Sequence, residues 1–216
     1  MEVLKTNFYG NPNLGLYGFA TDKYCLIGRG LSEEIIEEIE QVLGVKVYEI
    51  TVNHSRLIGS YCCGNNKLIL VPSIIKEGEE EELKKLKIPY KKIKSKFCAL
   101  GNNIILRDDV ALINPEFEKN IEEELKEFKL KRMNIGDHNA IGSCIIANKN
   151  GCLVSVNVTE EELKEISKTL GLKAEIGSVN RGSPYVKAGL IANSKGYLMG
   201  DSTTGVEGMR IEMALG

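Results

Sequence analysis

The sequence predicts an α/β fold in which five β-β-α-β repeats close into a ring through the N-terminal strand. Three observations lead to this prediction. A strand–turn–strand pattern recurs five times at nearly constant spacing, a helical pattern follows each recurrence, and a strand pattern at the N-terminus matches one missing after the last helix. We expect a single domain over residues 1–216, because a chain of this length buries a core of its own.

The hairpins carry the strongest periodic signal. Each joins two short apolar strands through a polar turn, and the five patterns begin at Leu16, Ser60, Asn102, Ser143 and Ala188. The turns begin at Thr21, Asn65, Arg107, Asn148 and Asn193, at spacings of 44, 42, 41 and 45 residues. Asn, Asp, Gly and Lys dominate these turns, and they tolerate the backbone angles of tight hairpins.

Capping signals bound several of the helices. Ser32 precedes an apolar stripe of helical spacing that Gly44 ends. The stretches Thr159–Glu162 and Thr204–Glu207 have the capping-box pattern, in which each side chain bonds the other residue's backbone NH. These signals predict helix starts in the first, fourth and fifth repeats.

The second and third repeats have weaker helix signals. We expect a short helix from Glu79 to about Leu86, and a helix that begins at Asn114 and Pro115 and runs to Phe128. In the final helix one side carries Val206, Met209 and Met213.

The third strand of each repeat explains the predicted closure. Four helices are followed by strands that begin at Val45, Tyr90, Leu130 and Leu172. The fifth helix has no such strand, so we expect Met1–Lys5 to supply it and thereby to remove two sheet edges. The repeats then span about 6–50, 51–95, 96–136, 137–179 and 180–216, with 1–5 added to the last.

Composition and charge limit the classes of function that fit the chain. The formal net charge is −2, from 28 basic and 30 acidic residues, so the chain lacks the strongly basic surface of duplex-binding proteins. The N-terminus has no signal-peptide pattern, and no apolar run approaches the ~18 residues that span a bilayer. We therefore expect a cytoplasmic protein that makes no membrane contact.

The six cysteines are expected to be reduced core residues. They form no C-x-x-C pair, and with two histidines in the chain a structural zinc site is not predicted. The sequence predicts no metal and no cofactor. The cysteines are Cys25, Cys62, Cys63, Cys98, Cys144 and Cys152.

A glycine precedes four of the five hairpins. These residues are Gly15, Gly59, Gly101 and Gly142, and Lys187 stands at the fifth position. Matching repeat positions lie at matching heights in a ring, so the glycines and the polar loops before them should collect on one face. Two interpretations are open: the glycines permit close packing around the axis, or they form part of a surface that recognises a partner.

The order and spacing of several motifs resemble those of the archaeal and eukaryotic translation initiation factor six family. The motifs are Ile58–Cys62, Ala99–Asn102, Ala111–Pro115, Val179–Ser183 and Ala192–Gly196, with Thr203–Thr204. The resemblance covers essentially the whole chain and implies the five-fold pseudosymmetric pentein fold. It implies a factor that binds the large ribosomal subunit, mainly its proteins near the sarcin–ricin loop, and blocks joining of the small subunit. It also implies a role in late subunit assembly, without catalysis; ring closure favours a monomer.

The resemblance also implies a contact face. Carried over by position, its residues are Gly15, Arg56, Ser60, Asn65, Asn102 and Val186. Arg56 would form a charge-assisted bond, and Asn65 and Asn102 would bond peptide groups. Gly15 would allow close approach of the partner. Lys187 departs from the small residue usual at its position in the family.

An enzyme is the competing interpretation, because penteins include guanidine-modifying enzymes. Their chemistry needs a thiolate nucleophile, a histidine and carboxylates. Those families carry the nucleophile in the last repeat, and this chain has no cysteine after Cys152. A pair formed by Cys144 and His138 stays open at this level.

A basic run follows an acidic stretch in the second repeat. Its members are Lys84, Lys85, Lys87, Lys91, Lys92, Lys94 and Lys96. The pairs Glu80–Lys84 and Glu81–Lys85 have the i, i+4 spacing of helix ion pairs, so a solvated helix face is expected. A minor contact with rRNA is the alternative.

Overall fold

The computed structural model describes residues 1–216 as five three-stranded sheets around one axis. In each sheet the two hairpin strands are antiparallel, and the third strand lies parallel to the middle one. A parallel neighbour requires a crossover, which the helix of each repeat provides in four sheets. The five-repeat α/β ring predicted from the repeats, which is the pentein fold that the resemblance implies, is confirmed.

The elements follow the chain in order. The N-terminal strand and first repeat comprise β1 (Glu2–Thr6), a 3-10 turn (Leu14–Leu16), β2 (Gly18–Ala20), β3 (Tyr24–Gly28), α1 (Glu33–Leu43) and β4 (Lys46–Ile50). The second comprises α2 (Ile58–Tyr61), β5 (Cys63–Gly64), β6 (Ile69–Pro72), α3 (Glu77–Lys85) and β7 (Tyr90–Ile93). The third comprises α4 (Leu100–Asn103), β8 (Ile104–Arg107), β9 (Val110–Ile113), α5 (Ile121–Glu124) and β10 (Lys129–Arg132).

The last two repeats complete the ring. The fourth comprises α6 (Ile141–Cys144), β11 (Ile145–Ala147), β12 (Cys152–Ser155), α7 (Glu160–Leu170) and β13 (Ala174–Gly177). The fifth comprises β14 (Leu190–Ala192), β15 (Gly196–Gly200) and α8 (Gly205–Leu215).

The N-terminal strand closes the ring. β1 pairs in parallel with β15, with Glu2 opposite Gly196 and Thr6 opposite Gly200. Helix α1 then packs on β1 and β15, so the first repeat covers the sheet that the two chain ends share. The predicted pairing of the first residues with the last repeat is confirmed.

The predicted helix caps are present. The Ser32 hydroxyl accepts a hydrogen bond from the Ile35 NH, and Gly44 ends α1 in the left-handed conformation with φ 58°. Both Thr159–Glu162 and Thr204–Glu207 form capping boxes at the starts of α7 and α8. Local chemistry therefore sets the ends of these helices.

The helix predicted from Asn114 is wrong in extent. Only Ile121–Glu124 is helical, and the Asn114 side chain instead accepts from the Glu116 NH in a turn. The guanidinium of Arg132 donates to the carbonyls of Pro115, Phe117 and Glu118 at 3.1, 2.8 and 3.4 Å. Those carbonyls would carry the first bonds of a longer helix, so Arg132 competes with helix formation here.

Two details of the other helices also differ from expectation. Helix α3 begins at Glu77, and Lys84 pairs with Glu81 at 2.7 Å instead of with Glu80. Glu80 reaches Lys92 at 2.8 Å, so neither predicted i, i+4 pair forms. In α8 the side that carries Val206, Met209 and Met213, for which no burial was predicted, faces solvent with 74%, 69% and 55% exposure. The opposite side, with Ile211 and Leu215, is buried.

Each sheet is tied to the next at the hairpin turns. Asn65 Nδ2 donates to the Asp108 carbonyl, and Arg107 donates to the Leu170 carbonyl. Asn148 Nδ2 donates to the Asn193 carbonyl, and Asn193 Nδ2 donates to the Thr21 and Leu43 carbonyls. The Tyr24 hydroxyl links the first repeat to the second by donating to the Asn65 carbonyl. The residues that open the turns are therefore structural links between repeats.

The cysteines are unpaired, and five of the six are buried. Cys98 is partly exposed, which departs from the expectation that all six lie in the core. Cys25, Cys62, Cys63, Cys144 and Cys152 belong to apolar clusters between neighbouring sheets. No helix has the length and apolar composition needed to cross a membrane.

Candidate functional site

One end of the ring carries the loops and one-turn helices that precede the inner strands; we call it the loop face (residues 7–17, 53–61, 95–103, 136–144 and 180–188). The 3-10 turn contacts α2, α2 contacts α4, and α4 contacts α6. These turns were predicted only as glycine turns, and the structure gives most of them a full helical turn. They surround the axis at this end.

The axial glycines pack against one another. A Cβ added to Gly59 would lie 2.0 Å from the Gly15 carbonyl oxygen, and one on Gly101 would lie 2.0 Å from the Gly59 oxygen. A Cβ on Gly15 would lie 1.8 Å from the Lys187 oxygen. Close packing around the axis therefore explains these glycines. The space beside Gly15 is occupied by backbone of the chain itself.

Lys187 takes the fifth axial position. Its Nζ donates to the carbonyl oxygens of Gly59 at 3.1 Å and of Gly101 at 2.5 Å. Burial lowers the pKa of this ammonium to about 8, against a smaller opposing effect of the Cys63 and Cys62 thiols. The side chain thus crosses the ring and bonds the second and third repeats from the fifth.

A concave depression of about 360 Å³ surrounds the axis on the loop face. We call it the axial depression; it is lined by Asn13, Gly15, Leu16, Asn102, Ser143, Ser183, Tyr185, Lys187 and Ala188. Among these lining residues, only the side chains of Asn13 and Lys187 form hydrogen bonds within the chain. The side chains of Asn102, Ser143, Ser183 and Tyr185 therefore have unused donors and acceptors.

Carboxylates fix the loops around the depression. Glu79 accepts from the backbone NH groups of Asn53 and His54, each at 2.7 Å. Glu207 does the same for Gly182 at 2.8 Å and Arg181 at 3.2 Å. These loops contain residues with positive φ, including His54 at 62° and Arg181 at 65°. Each strained loop is therefore held by the helix that follows in the same repeat.

The remaining loops use related anchors. Glu118 accepts from the Lys96 NH at 2.8 Å, and Glu162 accepts from the Gly136 NH at 3.0 Å. In the first repeat Asn7 replaces the glutamate and accepts from the Gly10 NH at 2.9 Å. All five loops of the face are thus hydrogen-bonded through an acidic or amide side chain.

The anchoring carboxylates titrate abnormally. Burial alone would raise the pKa of Glu207, but hydrogen bonds from the Thr204 and Gly182 NH groups and from hydroxyls outweigh it and lower the pKa to about 2. The same balance lowers the pKa of Glu79, where the NH groups of Lys76 and His54 donate. Both carboxylates stay charged through the neutral range.

Basic and aromatic side chains pair at the rim of the face. The Arg56 guanidinium lies 4.6 Å from the centre of the Tyr9 ring, and Lys96 Nζ lies 5.0 Å from the centre of the Phe97 ring. The rings of His138 and Tyr185 are 5.6 Å apart. Such pairs supply both charge and flat apolar surface to a partner.

Of the predicted contact residues, Arg56 and Asn102 present accessible side chains on the loop face. Arg56 is exposed at the rim, and Asn102 lines the axial depression. Gly15 and Ser60 are buried, and Val186 is fully buried in the apolar cluster of the fifth repeat. The last three support the face and do not present side chains to a partner.

Asn65 lies at the other end of the ring. Its turn follows β5, and it lines a cavity with Asn66, Asp108 and Lys149 that holds no residue of the axial depression. Its amide already bonds the Asp108 carbonyl and the NH groups of Lys67 and Leu68. The structure therefore does not bring Asn65 together with the other predicted residues.

Sequence reasoning did not name Ser143, Tyr185 or the anchoring glutamates as contact residues, and it included Ser183 only within the polar loop before Lys187. Ser143 follows Gly142 as Asn102 follows Gly101, so the alignment of repeats was a sufficient signal for it. Ser183 and Tyr185 lie in a loop before Lys187, where no glycine marks the register. The helix caps of Glu207 were visible, but its bonds to a loop 25 residues earlier were not.

Cys144 and His138 do not form a nucleophile and base pair in the structure. Cys144 is fully buried, and burial raises the pKa of its thiol to about 11. His138 lies beside Asn157, with 2.9 Å between Nε2 and Nδ2, and forms no bond with Cys144. No cluster of three or more potential metal ligands is present. Cys144 therefore lacks the accessible thiol of lowered pKa that a nucleophile needs.

Three of the seven lysines in the basic run of the second repeat form ion pairs. Lys91 contacts Glu127 at 3.0 Å, Lys92 contacts Glu80 at 2.8 Å, and Lys84 contacts Glu81. These contacts match the solvated-face interpretation.

Solved structures of low identity resemble the chain in fold. A dimethylarginine dimethylaminohydrolase adduct superposes with a TM-score of 0.54 at 15% identity, over 76% of this chain and 68% of that one. The N-terminal domain of ArgZ bound to a reaction intermediate gives 0.54 at 13%, over 76% and 67%. At such identities the likeness extends to the fold alone.

Sequence relatives cover the whole chain. Translation initiation factor 6 from Saccharolobus islandicus is 38% identical over 100% of both chains, and that from Pyrococcus horikoshii is 35% identical over 100% and 99%. Eukaryotic translation initiation factor 6 from Toxoplasma gondii is 33% identical over 94% of this chain and 80% of its own. The model of the eIF-6 family matches residues 3–214. The chain belongs to the eIF-6 family.

Proposed function

We propose that this protein is a translation initiation factor that binds the large ribosomal subunit through its loop face and prevents joining of the small subunit. The relatives' name supports a role in initiation. The axial depression supports binding, because four of its polar side chains have hydrogen-bonding groups that the fold leaves unused. The same interaction would act in late assembly of the large subunit.

The site acts as a rigid, non-catalytic docking surface in this proposal. Anchored loops lose little conformational entropy on binding, so a preorganised face binds more tightly than a flexible one. Asn102 offers an amide to peptide groups of the partner, and Arg56 offers a guanidinium to a carboxylate at the rim. No cofactor is required, and we expect a cytoplasmic monomer.

Ribosomal protein near the sarcin–ricin loop is the expected main partner. The net charge of −2 does not favour a surface that neutralises many phosphates. Exposed Lys96 at the rim allows a minor contact with rRNA. A partner that covers the depression would not reach Asn65, which lies at the far end of the inner strands.

Co-sedimentation with purified large subunits, followed by addition of small subunits, tests the proposal. The wild-type protein should pellet with large subunits and reduce subunit joining. Asn102→Lys should weaken both effects, because it puts a long charged side chain into the axial depression. The control is Lys149→Glu, at an exposed lysine on the other end of the ring whose side chain forms no hydrogen bond or ion pair within the chain. If both variants bind large subunits as well as the wild type does, the loop face is not the contact.

A further inference from the structure

The ammonium of Lys187 has no counter-ion in the chain. Its two hydrogen bonds go to neutral carbonyls, and it takes part in none of the ion pairs within 4.0 Å. An ammonium has three N–H donors, so one remains unused. Buried charges are normally paired with an opposite charge, which makes this one an exception.

The neighbouring titratable groups do not supply the missing charge. The thiols of Cys62 and Cys63 face Lys187, but burial raises the pKa of both, to about 12 for Cys63. They are therefore neutral under physiological conditions. An opposite charge that pairs with Lys187 would therefore come from outside the chain.

Lys187 can be reached from the loop face. The residue as a whole is partly exposed although its ammonium is buried, and it lines both the axial depression and an apolar cavity of about 80 Å³ walled by residues such as Phe19, Ile105 and Ile146. Around it in the depression, Asn102, Ser143, Ser183 and Tyr185 have donors that form no bond within the chain. One cation ringed by neutral donors is an arrangement that binds a single small anion.

The anion fits a protein carboxylate better than an rRNA phosphate. Lys187 is the only cationic side chain that lines the depression, whereas a nucleic-acid strand brings consecutive phosphates that several Lys or Arg must neutralise. A carboxylate needs one ammonium and a few NH or OH donors, which are present. The apolar neighbours Leu16 and Ala188 suit a protein side chain beside it.

We propose that Lys187 pairs with a carboxylate of the docked partner protein, either an Asp or Glu side chain or a chain terminus, that enters the axial depression. The inference rests on the proposed function, since it names the chemistry of the partner group at the same face. It makes Lys187 a residue that selects an acidic group at the centre of the contact.

Affinity for purified large subunits, measured for the wild type, Lys187→Met and Lys187→Gln, tests the pairing. At about pH 7 the affinity of both variants should be at least about tenfold lower than that of the wild type, as expected when one partner of a buried charge pair is removed. The wild-type advantage should shrink as the pH rises to about 9.5 and the ammonium loses its proton, whereas a purely steric role would give a flat profile. Lys149→Met, at an exposed lysine on the other end, is the control.

The outcomes separate the two proposals. If the wild type does not bind large subunits, the proposed function fails. If the wild type binds and Lys187→Met binds equally at every pH, the pairing fails and the function stands. Thermal unfolding identifies a variant that does not fold. If Lys187→Met does not fold, Lys187→Gln, which keeps an NH donor without charge, tests the pairing in its place.

Carbodiimide cross-linking of the complex identifies the partner group directly. The reagent joins an amine to a carboxylate in contact with it, so mass spectrometry should find Lys187 linked to an acidic residue or terminus of a ribosomal protein. The link should be absent in Lys187→Arg. A carboxylate partner would be contradicted if rim lysines such as Lys96 form cross-links and Lys187 forms none. It would also be contradicted if the pH-dependent binding survives removal of the subunit proteins.

Discussion

The carboxylate of Glu207 accepts a 2.8 Å hydrogen bond from the backbone NH of Gly182, which joins the start of α8 to residues 180–188 of the loop face. The same carboxylate caps its own helix by accepting from the Thr204 NH at 2.8 Å. One side chain therefore contributes to the stability of the fold and to the shape of the face.

Replacing Glu207 by Gln should destabilise the protein by about 2 kcal/mol near neutral pH, because the charged acceptor of several bonds is lost. The folded pKa of about 2 lies below the unfolded value, so the carboxylate stabilises the fold fully above about pH 4.5. The contribution fades as the pH falls toward about 2. Denaturant unfolding of both proteins across this range should show the difference closing.

Glu160→Gln is the matched control, since Glu160 is exposed in the first turn of α7 and forms no hydrogen bond through its side chain. Its unfolding free energy should change by a few tenths of a kcal/mol. A Glu207→Gln effect that stays constant down to about pH 2 would rule out the charged form as the cause.

Two glycines should respond in opposite directions to the same substitution. Gly59→Ala should cost more than about 2 kcal/mol, because its Cβ would meet the Gly15 carbonyl at 2.0 Å and backbone atoms cannot move aside cheaply. Gly78→Ala should stabilise by about 0.5–1 kcal/mol, because Gly78 lies in α3 with no heavy atom within 4 Å of an added Cβ. Thermal and denaturant unfolding measure both. A small change in unfolding free energy for Gly59→Ala would mean that the axis is loosely packed.

Periodicity in the sequence was enough to predict the five repeats, the closing strand and three helix starts, because each depends on local patterns. It was not enough for the third helix, where Arg132 draws carbonyls into other bonds. The break in the glycine pattern marked Lys187 as unusual. The position of its ammonium between the Gly59 and Gly101 carbonyls depends on ring geometry that no local pattern contains.

The site prediction had a similar limit. Transfer by position included Asn102 and Arg56, which are accessible on the loop face, but it also included buried Val186 and the distant Asn65. A residue's place before or after its inner strand decides which end of the ring it occupies: Asn102 precedes β8, whereas Asn65 follows β5. Side-chain burial at the loop face depends on packing between repeats that are about 40 residues apart in sequence.

Asn193→Ala should destabilise the closure between the last and first repeats by about 2–3 kcal/mol. Asn193 is 2% exposed, and its Nδ2 donates to the Thr21 and Leu43 carbonyls at 3.1 and 2.7 Å. Alanine would leave both carbonyls unsatisfied in a buried place. Hydrogen exchange should show faster opening of β1 and β15 than of the other sheets. Uniform exchange across all five sheets would argue against a special role at the closure.

Charge reversal of Lys91, Lys92 and Lys94 to Glu should leave affinity for the large subunit and its salt dependence unchanged. Lys91 and Lys92 already pair with Glu127 and Glu80, so they contribute little to a distant phosphate. Binding measured between about 50 and 200 mM salt checks this, because each lost phosphate contact lowers the slope of log K against log salt by about one. A reduced slope would instead identify this strand edge as an rRNA contact.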